Sequence, residues 1–249
     1  CISGMADVEY VKRNDIRALI NNGIIVNVGN GMSPDIEKII DAEPDAVLVS
    51  PFENSGGYGK LDELHIPLVE CADYMESSPL ARAEWMRFYG MLVGKEAEAD
   101  SLFVQVEKAY NSIKTSANNS KDRPQVMMDF PSGNVWYIPG GQSTIGQMIA
   151  DAGGNYCFAD IKKSGSSALS VEAVVDKCEN ADVWLFRYGG PKAFTHIKAY
   201  KDKNLWGCST ERTAFYEDTP FHPDVLLGEF LRIFHSGHSV EMKYFKKID

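Results

Sequence analysis

Chemistry needs nucleophiles beside bases, clustered metal ligands, or glycine loops that hold phosphate. This chain offers little of each. Its histidines are His65, His196, His222, His235 and His238, and they form no H-x-H or H-E-x-x-H pattern. No imidazole-built zinc or manganese site is therefore expected. His235 and His238 stand three apart at a helix end, where capping is the ordinary role. His222 lies between two prolines in Thr219-Pro220-Phe221-His222-Pro223, at the start of a helix. There it either lines a cleft or caps the helix. A Cys/His pair would have to draw on Cys71 or Cys208 with His222. No spacing supports that, and no G-x-S-x-G elbow is present. An α/β enzyme of the cytoplasm using Cys71 or His222 stays open as an alternative of another class. Pro139-Gly140-Gly141-Gln142-Ser143-Thr144 has the composition of an anion nest but lacks the lysine of a P-loop, so it reads as a turn and cap.

Aromatic and cationic residues near strand ends are the stronger signal. Phe52 and Tyr58 lie in the first third of the chain. Trp136, Tyr137, Arg187, Tyr188, Arg212, Phe215 and Tyr216 lie later. Flat rings with a few cations suit a bulky ligand that is partly apolar and partly anionic.

The elements that carry these residues follow from periodicity. Residues 24–28 (IIVNV) and 46–49 read as strands, with a short helix over 35–41 capped by Ser33 or Asp35. The second strand delivers the chain to a loop, Ser50 to Gly59, at a strand's carboxyl end, where open α/β sheets hold ligands. Residues 60–64 read as a helix and 67–70 as a strand. Residues 79–116 keep one apolar stripe and predict a single long helix, with Ser77, Ser78 and Pro79 as its start and Gly94 as its one weak point. At 1.5 Å per residue it would be roughly 55 Å long. The alternation then resumes. Residues 125–130 and 135–138 read as a hairpin, 144–152 as a helix, and 171–177 as a helix capped by Ser170. Residues 182–186 and 205–208 read as strands, and 191–200 and 223–234 as helices. The fold class is α/β. Two lobes, 1–76 and 119–249, are joined by a backbone helix over 77–118, with a ligand cleft between them. A single stiff connector implies limited closure on binding.

The chain has 249 residues, a formal net charge of −10 and 44% hydrophobic residues. The acidic balance and the lack of a basic stripe argue against nucleic acid as a partner. No run reaches the roughly 18 apolar residues of a membrane span. Cys1, Cys71, Cys157, Cys178 and Cys208 show no C-x-x-C spacing and read as buried small side chains, with one disulfide at most. A lipid-modified Cys1 is the weaker reading, because structure starts at once without a polar tether.

Several segments, in order, resemble the helical-backbone class of ABC-transporter substrate-binding proteins, which carry ferric siderophores, haem or cobalamin. They are DIEKIIDAEPDAVLV (35–49), HIPLV (65–69), EWMRFYGMLVGKE (84–96), WYIPGGQSTIGQMIADAGG (136–154), LSVEAVV (169–175) and ADVWL (181–185). FYEDTPFHPDVLL (215–227) is similar to the ending of a Bacteroidetes-type branch. The resemblance implies a bacterial, periplasmic or lipid-anchored, monomeric receptor without catalytic activity or cofactor. Its partners would be permease subunits and a metal chelate, an iron complex first and cobalamin as the alternative. The family's ligand contacts vary, and the candidate cleft residues in this chain are Asn30, Met32, Phe52, Asn54, Tyr58, Trp136, Arg187, Tyr188, Arg212 and His222. The resemblance also implies permease docking through one carboxylate on each lobe, Glu37 and Glu172. Family members carry a strand and a helix before the position of Cys1, so the first lobe is expected to lack that edge.

Overall fold

Strand and helix signals in the first 74 residues resolve into short pieces. The structure is a computed structural model that describes residues 2–51, 57–187 and 193–248. It divides into two compact units, Cys1–Tyr74 and Met75–Asp249. The first unit runs β1 (Gly4–Met5), α1 (Asn14–Asn21), β2 (Val26–Asn27), β3 (Gly29–Asn30), β4 (Ser33–Pro34), α2 (Ile36–Asp41), β5 (Val47–Val49) and β6 (Leu68–Glu70). β1 pairs with β2 and β5 with β6, both parallel, while β3 and β4 form an antiparallel pair. The apolar run at 24–28 is thus cut short. Gly29, at φ +86°, turns the chain into the β3–β4 hairpin, a conformation that costs glycine little. Asp35 caps α2, its carboxylate accepting the Lys38 amide at 3.3 Å. Val28, Ile39 and Leu61 form the small core, and Val26, Ile36, Val47, Val49 and Leu68 pack around it.

The second unit opens with a correction to the long backbone helix. Residues 79–118 are two helices, α3 (Pro79–Leu92) and α4 (Glu96–Asn118). Gly94 takes φ +66°, the Lys95 amide donates to the Gly90 carbonyl at 2.7 Å and the Gly94 amide to Met91 at 3.3 Å. These are the two bonds of a Schellman stop, which satisfies carbonyls the helix end would leave bare. The chain then turns back on itself. Arg87 pairs with Asp100 at 2.7 Å and lies 4.3 Å from the Phe103 ring centroid. A Cβ placed on Gly90 would lie 2.4 Å from the Ala99 Cβ, so the two backbones approach through the space a side chain would fill. The expected stiff connector, and the limited closure inferred from it, lose their basis. The apolar stripe was real, but it serves two antiparallel helices. Ala83, Phe103 and Val106 bury it locally, and Tyr110 joins the main core.

After α4 come β7 (Gln125–Met128), β8 (Pro131–Ser132), β9 (Val135–Pro139), α5 (Thr144–Asp151), β10 (Asn155–Tyr156), β11 (Ser166–Ser170), α6 (Val171–Cys178), β12 (Val183–Phe186), α7 (Lys198–Lys201), β13 (Leu205–Cys208), α8 (Phe215–Asp218), α9 (Pro223–Phe234) and β14 (Phe245–Ile248). The main sheet has the order β10-β7-β12-β13-β14, parallel except for β14. VMM of β7 and VWLF of β12 are buried throughout, as central parallel strands covered on both faces must be. The hairpin expected between 125–130 and 135–138 does not form. Asp129, at φ +58°, turns the chain out of the main sheet, and β9 pairs instead with β8 and β11 in a separate antiparallel sheet. Ser143 and Ser170 cap α5 and α6 as their sequence context predicts, accepting amides at 3.1 and 3.2 Å.

The C-terminal strand is held by a buried carboxylate. Glu229 on α9, fully buried, accepts the amides of Lys243, Tyr244 and Phe245 at 2.6, 2.8 and 2.8 Å. Burial pushes its pKa up, and the three amide bonds pull the other way.

The close approach of α3 and α4 generates a test. Gly90→Val should lower unfolding stability by about 1–3 kcal/mol, the usual cost of overpacking, read from the urea midpoint. An unchanged midpoint would mean the hairpin opens without loss.

Candidate functional site

Two adjacent parallel strands, β7 and β12, end together, and Asp129 and Arg187 follow them. Asp129 is fully buried. Its Oδ1 accepts the Arg187 amide and Nε, each at 3.2 Å, and its Oδ2 accepts a terminal guanidinium nitrogen at 2.5 Å. The ladder continues through the Asp129 amide, which donates to the Leu185 carbonyl at 2.8 Å. Two indoles lock the same turn from below. Trp184 Nε1 donates to the Asp129 carbonyl at 2.9 Å and Trp136 Nε1 to the Met128 carbonyl at 3.0 Å. A bidentate, charge-assisted pair of this kind fixes the direction of a guanidinium as well as its charge. The arrangement can therefore present one oriented cation at the sheet's carboxyl end.

The remaining site residues of this unit separate by environment. Trp136 is fully buried, its ring 6.0 Å from that of Trp184, so it is a core residue and not a ligand wall. Tyr137, its neighbour on the opposite face of β9, is 52% exposed and is the better-placed aromatic. Phe215 is likewise core, while Tyr216 is exposed. Arg212 is exposed in the turn that follows β13, its amide bonded to Ser209 O at 3.0 Å. His222 occupies the N-cap position of α9, half-exposed, with Nδ1 at 3.9 Å from Asp224 Oδ1. Burial raises the pKa of Asp224, and His222 opposes that rise. The histidine is thus both at a helix start and open to solvent. Tyr188 lies outside the described residues, directly after Arg187.

In the first unit, Asn30 and Met32 sit on the β3–β4 hairpin. The tip is organised by Asp7, which sequence reasoning missed because it lies 23 residues away from Asn30. Its carboxylate accepts Asn30 Nδ2 and the Gly31 amide, both at 3.0 Å, and Asn30 Oδ1 accepts the Met32 amide at 2.8 Å. The fixed tip leaves the Met32 side chain 75% exposed. Tyr58 donates its hydroxyl to Glu70 Oε1 at 2.8 Å and packs on the small core. Loss of solvent, and then the Glu70 carboxylate, push its pKa to about 12, so it stays a neutral donor. Phe52 and Asn54 lie outside the described residues. Glu37 and Glu172 are exposed in the first turns of α2 and α6, where the positive end of a helix favours a carboxylate.

Among the described residues, no group of three His, Cys, Asp or Glu side chains gathers to hold a metal ion. Cys71 is buried, its thiol donating to the Val69 carbonyl at 3.6 Å. Burial pushes the Cys208 thiol up to about 11, which makes it a poor nucleophile.

The second unit thus combines a parallel α/β sheet with a bidentate Asp129–Arg187 pair at the ends of β7 and β12. Comparison with known proteins gives the family. The chain belongs to the periplasmic binding protein family, whose model matches residues 9–206. Members of this family, of the ABC-transporter type, bind and deliver substrates and are not enzymes. An uncharacterized lipoprotein of Methanocaldococcus jannaschii is 30% identical over 194 residues, 76% of this chain and 45% of the relative. The chain thus spans less than half the length of that relative. An iron-uptake system-binding protein of Bacillus subtilis is 27% identical over 115 residues, 45% of this chain and 34% of the other. Among solved structures, Staphylococcus aureus IsdE complexed with heme superposes with a TM-score of 0.68 at 16% identity, covering 95% of this chain and 92% of the other. No described helix is long and apolar enough to cross a membrane.

Replacing Asp129 by Asn keeps the shape and removes the charge that compensates Arg187. Breaking a buried pair in this way should cost on the order of 3 kcal/mol in urea unfolding. An unaltered midpoint would mean that other partners hold Arg187.

Proposed function

We propose that this protein is the substrate-binding component of an ABC importer and that it captures an iron complex, a siderophore or haem, for delivery to a permease. The observation that carries the reading is the family match across residues 9–206, combined with the Arg187 guanidinium fixed by Asp129 at the sheet's carboxyl end. An oriented cation suits the carboxylate or hydroxamate oxygens of a ferric chelate, or the propionates of haem. The relative named for iron uptake supports the same ligand class. Arg187, Tyr188, Arg212 and His222 are the proposed contacts from the second unit, joined by the exposed Tyr137. Asn30, Met32, Phe52, Asn54 and Tyr58 are those from the first. The protein acts outside the cytoplasmic membrane, a reading that the lipoprotein relative supports. Glu37 and Glu172 dock on the permease as two exposed charges that set register.

A titration with haemin, a ferric hydroxamate or catecholate, and cyanocobalamin tests the ligand. Binding is followed by quenching of tryptophan emission with absorbance as control. Saturable binding to an iron complex at low micromolar concentration or better is expected, weakened at least tenfold by Arg187→Ala. Saturation by cyanocobalamin alone would replace iron with a corrinoid, and binding of none would overturn the ligand class.

Docking has its own test. Glu37→Lys and Glu172→Lys should each leave ligand affinity unchanged and stability within about 0.5 kcal/mol, as for ordinary surface changes, while uptake by cells falls sharply. Full uptake by both variants would remove these carboxylates from the docking surface.

A further inference from the structure

The second unit holds two thiols that neither the binding site nor the family match accounts for. Cys157 directly follows β10, and Cys178 is the last residue of α6. Both are free thiols buried in the main core, Cys157 at 7% exposure and Cys178 at none. Their segments are clamped face to face from outside. Lys177, the residue before Cys178, pairs with both oxygens of Asp160 at 2.7 and 2.8 Å. The same ammonium lies 5.0 Å from the ring centroid of Phe158, the residue after Cys157. From inside, the Cys157 amide is tied to the Val126 carbonyl at 2.9 Å, which fixes the sulfur-bearing residue against the sheet edge. The neighbouring Cys157 side chain, and then burial, push the Cys178 thiol well above its ordinary range. The other described cysteines are engaged elsewhere. Cys71 lies in the first unit on the Val69 carbonyl, and the Cys208 sulfur lies 3.9 Å from the Thr213 hydroxyl.

We infer that Cys157 and Cys178 are a disulfide-forming pair, and that their oxidation staples the β10 turn to the carboxyl end of α6. The inference rests on the proposed location outside the cytoplasmic membrane, where disulfide oxidants act. The oxidant is a protein or small-molecule disulfide. Cys157 attacks one sulfur of the oxidant as a thiolate and forms a mixed disulfide, releasing one oxidant thiol. Cys178, as its thiolate, then attacks the Cys157 sulfur and expels the second thiol. Two thiols of the chain become one disulfide, and the oxidant is reduced to two thiols that take up the two protons. The high pKa of the buried Cys178 makes the folded core a poor place for this exchange, so the bond forms before the core closes. The closed loop joins residues 157 and 178 and includes Ser170, the cap of α6, and Glu172 in its first turn. Oxidation therefore fixes the helix that carries the proposed docking carboxylate.

The test uses the whole chain, unfolded under reducing conditions and refolded in a mixture of oxidised and reduced glutathione. It is then denatured without reductant and alkylated with N-ethylmaleimide. Three of the five cysteines should take the label, with Cys157 and Cys178 recovered as one cross-linked peptide by mass spectrometry. The oxidised protein should melt on the order of 5–10 °C above its reduced form, as expected for a loop of this length in a domain of this size. Labelling of all five cysteines, or a cross-link that joins any other pair, would overturn the assignment. The ligand titration is read separately, so failure of the disulfide and failure of the receptor reading are distinguishable.

Discussion

The second unit depends on how β7 and β12 are allowed to stop. Two central parallel strands, buried on both faces, must end without leaving backbone groups bare in the core. Asp129 resolves this by taking a left-handed conformation and placing a fully buried carboxylate where the Arg187 amide and guanidinium can both donate to it. The carbonyls of Met128 and Asp129 are taken by two tryptophan indoles. An unpaired buried carboxylate would be strongly unfavourable, so Arg187 cannot swing away without cost. The constraint that ends the strands is the same one that fixes the Arg187 guanidinium at the sheet's carboxyl end.

How much of this was legible depends on the range of the interactions. Local signals translated well. Ser143 and Ser170 cap the helices they precede, and Leu205–Cys208 and Pro223–Phe234 begin and end where periodicity and proline place them. Gly94 was visible as a weak point, but periodicity cannot tell one long helix from two that share an apolar stripe. The decision lay in two hydrogen bonds of a Schellman stop and in the bare Cα of Gly90 against Ala99. Aromatic type was a poor guide to role. Trp136 and Tyr137 are neighbours in sequence, yet strand alternation buries one and exposes the other. The most important site contact, Asp129 to Arg187, spans 58 residues and has no sequence signature. Asp7, which sets the Met32 tip from 24 residues before Gly31, is hidden for the same reason.

The two units solve the problem of holding loops in different ways. The second has a large core running from Tyr110 to Phe245, so its strand-end loops stand on a rigid base. Among the described residues of the first, the buried cluster is small, Val28, Ile39 and Leu61, and its loops are held by polar contacts within the loops themselves. Asp7 holds one tip, and Glu70 and Asp62 hold Tyr58. Polar fixation of exposed loops is weaker than burial and sensitive to single changes, and it lets a loop change identity without disturbing a core. The loops of the first unit are therefore the freer ground for change in sequence.

The antiparallel β14 has a meaning beyond the anchoring of its start on Glu229. A five-stranded sheet must end on two edges, and every bare edge is a template on which another chain can add a strand. Here one edge is β10, which is only two residues long. The other is β14, where Phe245 is buried and Lys246 and Lys247 stand exposed. Two adjacent ammonium groups on a terminal strand repel a second copy arriving in register, while shortness alone blunts the opposite side. Without β14 the sheet would instead end on β13, four residues with no charged side chain to keep a second strand away.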